Sequence, residues 1–117
     1  MLKLNHKQLN VWKMGLEFVT TIYNLTESFP VEERYGLTSQ MRRAAVSVVS
    51  NISEGAARRS SKERKRFYEI ARSSLVEIDT QLEISMRLNF LKPRDIKQAS
   101  KQMNEIFAML TKLKSNT

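Results

Sequence analysis

The sequence predicts an all-α fold, an antiparallel up-down-up-down four-helix bundle. Four segments repeat apolar residues three and four positions apart, the spacing that lines up one side of an α-helix. Proline or glycine at Pro30, Gly36, Gly55 and Pro93 separates them. No stretch alternates with the period of two that a strand requires, and short connections make successive helices antiparallel neighbours. At 117 residues the whole chain, 1–117, fits one domain around one core.

The first helix is expected from about Gln8 to Thr26. Trp12, Gly15, Leu16, Val19, Ile22, Tyr23 and Thr26 form its core stripe. A second apolar row of Val11, Met14, Phe18 and Leu25 lies beside it, so the apolar arc is wider than one bundle seam needs. Together with Val46, which falls outside the stripe of the second helix, this row reads as a subunit interface; the other reading is a looser division of the faces. Phe29-Pro30 ends the helix, because proline cannot continue the hydrogen-bond ladder. The second helix takes Thr38 or Ser39 as N-cap and carries Met41, Ala45, Val48, Val49 and Ile52 inward. Arg43, Ser47, Ser50, Asn51, Glu54 and Arg58 lie on its outer face, and Gly55 is expected to stop it. Ser60 and Glu63 match a capping box at the start of a long third helix, whose inner face runs from Phe67 through Ala71, Ser74, Leu75, Ile78 and Leu82 to Ser85, ending near Phe90. Pro93 opens the fourth helix, where Ile96, Ala99, Met103, Ile106, Leu110 and Leu113 give the cleanest repeat.

The residue inventory excludes several chemistries. A di-iron bundle needs two Glu-x-x-His pairs, and His6 is the sole histidine. There is no cysteine, so thiolate metal sites and disulfides are absent. Three scattered glycines make no phosphate loop, and the serines have no histidine to activate them. Glu69, Glu77, Asp79 and Glu83 read as a solvated face, and Asn51-Ile52-Ser53 as a chance match to a glycosylation acceptor. The expectation is a non-enzymatic protein without metal or cofactor. No apolar run approaches the ~20 residues that span a bilayer, and MLKLNHKQLN lacks a signal-peptide core, so a cytoplasmic location without a membrane partner is expected.

Charge is the more informative signal. The chain carries 20 Lys and Arg against 12 Asp and Glu, a net charge of +8. Between Arg42 and Arg66, eight basic residues stand against Glu54 and Glu63, so +6 of that total is local. Arg42, Arg43, Arg58, Arg59, Lys62, Lys65 and Arg66 are the candidate nucleic-acid-binding residues, since clustered cations gain sequence-independent affinity by releasing counterions from phosphates. Pairing with acidic groups of a neighbouring subunit, or plain solubility, is the competing account. With Phe67 assigned inward, no base-stacking platform is expected.

The stretch from about Leu9 to Ser85 resembles the 23S rRNA intervening-sequence protein family. The resemblance rests on Val11-Trp12, Tyr23 with Thr26, Phe29-Pro30, Glu33 before Gly36-Leu37, Gln40, Arg42 or Arg43 with Ala44-Ala45, and Ser47. It continues through Ser50-Asn51-Ile52, Glu54-Gly55, Arg58, Glu63, Phe67, Ala71 and Ser74-Leu75 before Glu77. Ser73 stands where the family commonly has glycine, and Val49 where proline is frequent. The chain is similar also to the accessory protein of diversity-generating retroelements. The resemblance implies a homopentamer of four-helix protomers, association with RNA through the Arg58–Arg66 region, and a protein partner such as a reverse transcriptase; an oligomeric adaptor for a protein partner is the alternative.

Overall fold

The computed structural model describes residues 1–117, the side chain of Gln8 apart. Its four helices are α1, Asn10–Thr26, α2, Leu37–Ala57, α3, Ser61–Arg87, and α4, Lys97–Ser115, with short 3₁₀ turns at Asn5–Gln8, Val31–Glu33 and Pro93–Ile96. Neighbours pack in the cyclic order α1, α2, α3, α4 and back to α1. Side-chain contacts fix the directions. Trp12 at the start of α1 donates to Ser53 near the end of α2 at 3.1 Å, while Arg42 at the start of α2 donates to Thr26 at the end of α1 at 2.9 Å. Ser61 at the start of α3 donates to the carbonyl of Thr117 beyond α4 at 2.9 Å. The bundle is therefore up-down-up-down, as the connection lengths predict.

The core is one cluster fed by all four helices, including Phe18, Ile22, Met41, Val48, Ile52, Leu75, Ile78, Ile106 and Leu110. The expected inner stripes of α2, α3 and α4 are largely found there. That of α1 is corrected in part, since Gly15, Ile22 and Thr26 are buried as expected. Val11 and Phe18, assigned to a subunit interface, are 3% and 0% exposed inside the protomer's own core, and Met14 and Leu25 pack partly against it. Leu16 and Tyr23, assigned to the core, stand 44% and 40% exposed. Both rows have three-and-four spacing and differ by one residue's rotation, about 100°. Packing centres the core between them: Gly15 of the first row brings α1 close to Val49 of α2, and Trp12 sits at the edge of the seam where its indole N–H reaches Ser53.

The helix ends also depart from expectation in four places. The N-cap of α2 is Gly36, not Thr38 or Ser39, and the Glu33 carboxylate accepts from the Leu37 N–H at 3.2 Å, supplying the cap from the preceding turn. Gly55 does not stop α2, which continues to Ala57; a Cβ there would lie 2.6 Å from the Tyr68 ring, so the glycine serves close approach of α3. The third helix ends at Arg87, short of Phe90, because Asn89 takes the left-handed conformation with φ 62°. The Phe90 N–H then reaches Ser85 O at 2.8 Å and the Asn89 N–H reaches Met86 O at 3.0 Å, a Schellman closure made by asparagine. Pro93 opens a 3₁₀ turn rather than α4 itself. Ser60 does cap α3, accepting from the Glu63 N–H at 3.0 Å.

Candidate nucleic-acid interface

Antiparallel packing gathers four chain segments at each end of the bundle. Divided at the helix midpoints, the half built from residues 1–18, 47–74 and 106–117 carries twelve lysines and arginines against four acidic side chains. The other half carries eight and eight. The whole net charge of +8 thus belongs to one half, the one containing the α2–α3 turn.

The seven candidate residues do not form one patch. Arg58, Arg59, Lys62, Lys65 and Arg66 are exposed together at the α2–α3 turn. Arg42 and Arg43 lie toward the opposite end, about 24 Å along α2 from Arg58 at 1.5 Å per residue. Arg42 is built into the protomer. Its guanidinium donates to Thr26 Oγ1 at 2.9 Å and to Tyr23 O at 3.3 Å, lies 4.4 Å over the Tyr23 ring, and is 3.8 Å from Glu27. Its expected place in the binding surface is therefore withdrawn: those donors are already engaged. Arg43 is exposed, beside a shallow groove lined by Gln40, Ser47, Ser74 and Glu77, away from the other cations.

Local chemistry shapes the basic turn. Arg58 pairs with Glu54 at 2.9 Å, the favourable acid-then-base spacing, and lies 4.8 Å over the Phe67 ring. Arg66 approaches the same ring at 5.9 Å. Phe67 is therefore half-buried beneath two guanidiniums instead of facing fully inward, and Tyr68, 3% exposed, takes the core position. Burial raises the Tyr68 pKa, with Arg64 pulling the other way. Arg64 folds back to donate to the carbonyls of Arg58 and Arg59 at 3.1 and 2.6 Å, holding the turn between the helices. Arg59, Lys62, Lys65 and Arg66 have no ion-pair partner among the described residues.

Two other segments join this end. Lys3 and Lys13 from the start of the chain and Lys112 from the end of α4 are exposed in the same half. Their signal was available in the topology: an antiparallel bundle must place the start of α1 and the end of α4 beside the α2–α3 turn. Arg72, by contrast, is a structural cation, paired with Glu69 at 2.8 Å and lying 4.6 Å over the Phe107 ring. Lys114 also meets Glu69 at 2.8 Å. The hydrogen bond from Lys114 lowers the Glu69 pKa against the opposing pull of burial, with Arg72 adding to the lowering. Among the described residues no group of three or more His, Asp or Glu is placed to hold a metal, and no helix is long and apolar enough to cross a membrane.

Fold and surface together define a small helical-bundle protein with one strongly basic pole. The chain belongs to the 23S rRNA-intervening sequence protein family, whose model matches residues 7–112. A solved structure of a protein of unknown function from the S23 ribosomal protein family of Bacteroides thetaiotaomicron is similar in fold, with a TM-score of 0.81 at 21% identity, covering 90% of this chain and 95% of that one. Comparison with curated proteins finds no match.

Proposed function

We propose that this chain is a non-enzymatic, oligomeric protein that binds RNA or another nucleic acid through its basic pole. The carrying observation is the confinement of the entire +8 to one half of the bundle. Exposed cations so concentrated, with Arg59, Lys62, Lys65 and Arg66 free of ion pairs, supply the counterion-release affinity that phosphate chains provide. The family's connection with intervening sequences of 23S rRNA points to the same class of partner.

Oligomerisation is supported by apolar side chains left on two separate faces. Leu16, Tyr23 and Val46 are exposed along the α1/α2 side, and Val76 lies exposed on the α3/α4 side. Contact between unlike faces of successive copies is heterologous and closes into a ring when the rotation permits; the number five comes from the family resemblance. The same apolar faces favour the second reading, an adaptor whose partner is a protein, a reverse transcriptase among them.

The test is RNA binding by fluorescence anisotropy over a salt series, with mass measured in parallel. The expected log-log slope is about −3 to −5, from four or five phosphates neutralised. A variant with Arg59, Lys62, Lys65 and Arg66 all changed to Glu is expected to keep its mass and lose binding. Wild type that ignores RNA at low salt, or a variant that dissociates, would move the basic residues to assembly or to a protein partner.

A further inference from the structure

Resting on the nucleic-acid reading above, we infer that the preferred polyanion is a double helix, gripped by its phosphates alone and not by its bases. Two observations carry this. The first is that the rings of the basic half offer little open face to a base. Of the rings there, Phe18 and Tyr68 are buried in the core. The partly exposed ones are largely engaged: Phe67 lies under Arg58 and Arg66 at 4.8 and 5.9 Å, Phe107 has Arg72 at 4.6 Å over one face and lines a surface pocket, and Trp12 meets His6 in an edge contact at 5.2 Å. The most exposed rings, Tyr35 and Tyr23, the latter with Arg42 4.4 Å over one face, both lie in the balanced half. Proteins that hold single strands rely on stacking worth about 1–3 kcal/mol per base, and few open rings here supply it.

The second observation is shape. The molecule measures 44 × 28 × 20 Å, and its basic end is a helical bundle's terminus, with four chain segments side by side. The deep, narrow major groove of an A-form duplex is closed to side chains, so such an end meets the backbones and not the base edges there. It can instead rest across a groove, with cations from the α2–α3 turn on one backbone and those of the α1 start and α4 end, Lys13 and Lys112, toward the other. A duplex supplies two lines of phosphate with one charge per ~1.7 Å of axis; a single strand supplies one line. The arrangement rewards the former. Because only phosphates are touched, sequence has little effect.

The experiment uses the wild-type protein, with a blunt RNA duplex of mixed sequence and an unstructured oligouridylate carrying the same number of phosphates, both labelled and titrated at one moderate salt concentration. The duplex is expected to bind about tenfold tighter or more, with a salt slope of about 0.9 per phosphate engaged against about 0.7 for the single strand. Two duplexes of unrelated sequence should agree within about threefold. Equal or tighter binding of the oligouridylate would overturn the duplex inference while leaving nucleic-acid binding intact. Strong discrimination between the two duplexes would overturn the phosphate-only mode. Binding of neither probe at low salt would remove the nucleic-acid reading itself, and this inference with it.

Discussion

The two ends of the bundle share four helices and one core, yet they use arginine in opposite ways. In the balanced half Arg42 is a structural residue, its guanidinium shared among Thr26, Tyr23 and Glu27. In the basic half Arg59 and Arg66 face solvent with Lys62 and Lys65, unpaired, while Arg64 ties down the turn beneath them. Like charges crowded without partners destabilise a folded chain slightly. The contrast teaches that counting cations in sequence overstates a binding surface unless those already engaged internally are removed from the count.

Six substitutions sharpen the contrast. The largest effect concerns the core common to both ends: Phe18→Ala should cost about 3–5 kcal/mol of folding stability, whereas Leu16→Ala should cost under about 1 kcal/mol, both measured by urea denaturation. Equal losses would mean that α1 is rotated from the position described. Gly55→Ala comes next. Alanine in a helix ordinarily gains up to about 1 kcal/mol over glycine, but the Tyr68 ring blocks the new methyl, so a net loss of about 1–3 kcal/mol is expected. A stabilised variant would show that α3 can retreat.

Arg42→Ala should cost about 1–2 kcal/mol by loss of its hydrogen bonds, with nucleic-acid affinity unchanged. Arg59→Ala should do the reverse, leaving the melting curve alone and reducing the salt slope by roughly one phosphate. The smallest effect is on pH dependence. Because its folded pKa is lowered, Glu69 stabilises the protein fully above its ordinary value of 4.5, and that contribution disappears as pH falls through the lowered value. Its side chain is 46% exposed, so solvent screening holds the effect under about 1 kcal/mol. The melting difference between wild type and Glu69→Gln should therefore be small at neutral pH and vanish in acid; a difference that grows in acid would contradict the assignment.

Much of this was legible beforehand. The inner faces of α2 and α4 followed from periodicity because each helix has one apolar row, and the Ser60 cap followed from local chemistry. The face of α1 did not, since two rows satisfy the same spacing and the core takes members of both, Gly15, Ile22 and Thr26 from one and Val11 and Phe18 from the other. Gly55 misled for a related reason: glycine marks both helix ends and close helix contacts, and the tyrosine that distinguishes them lies thirteen residues on. The basic turn was visible as a run of charge. Its separation from Arg42, and its union with Lys13 and Lys112, required the antiparallel topology to be applied to charge as well as to the core.

The most direct measurement compares two matched variants in RNA binding. One changes Arg59, Lys62, Lys65 and Arg66 to Glu in the basic half; the other changes Arg43, Arg87, Lys97 and Lys101 to Glu in the balanced half, all exposed side chains. Both take the net charge from +8 to zero, so a difference between them reports where the charge lies and not how much there is. The first should lose binding by about a hundredfold or more while the second stays within about tenfold of wild type at moderate salt. Equal losses would show that bulk charge alone drives association, and a greater loss in the second would place the surface at the other end.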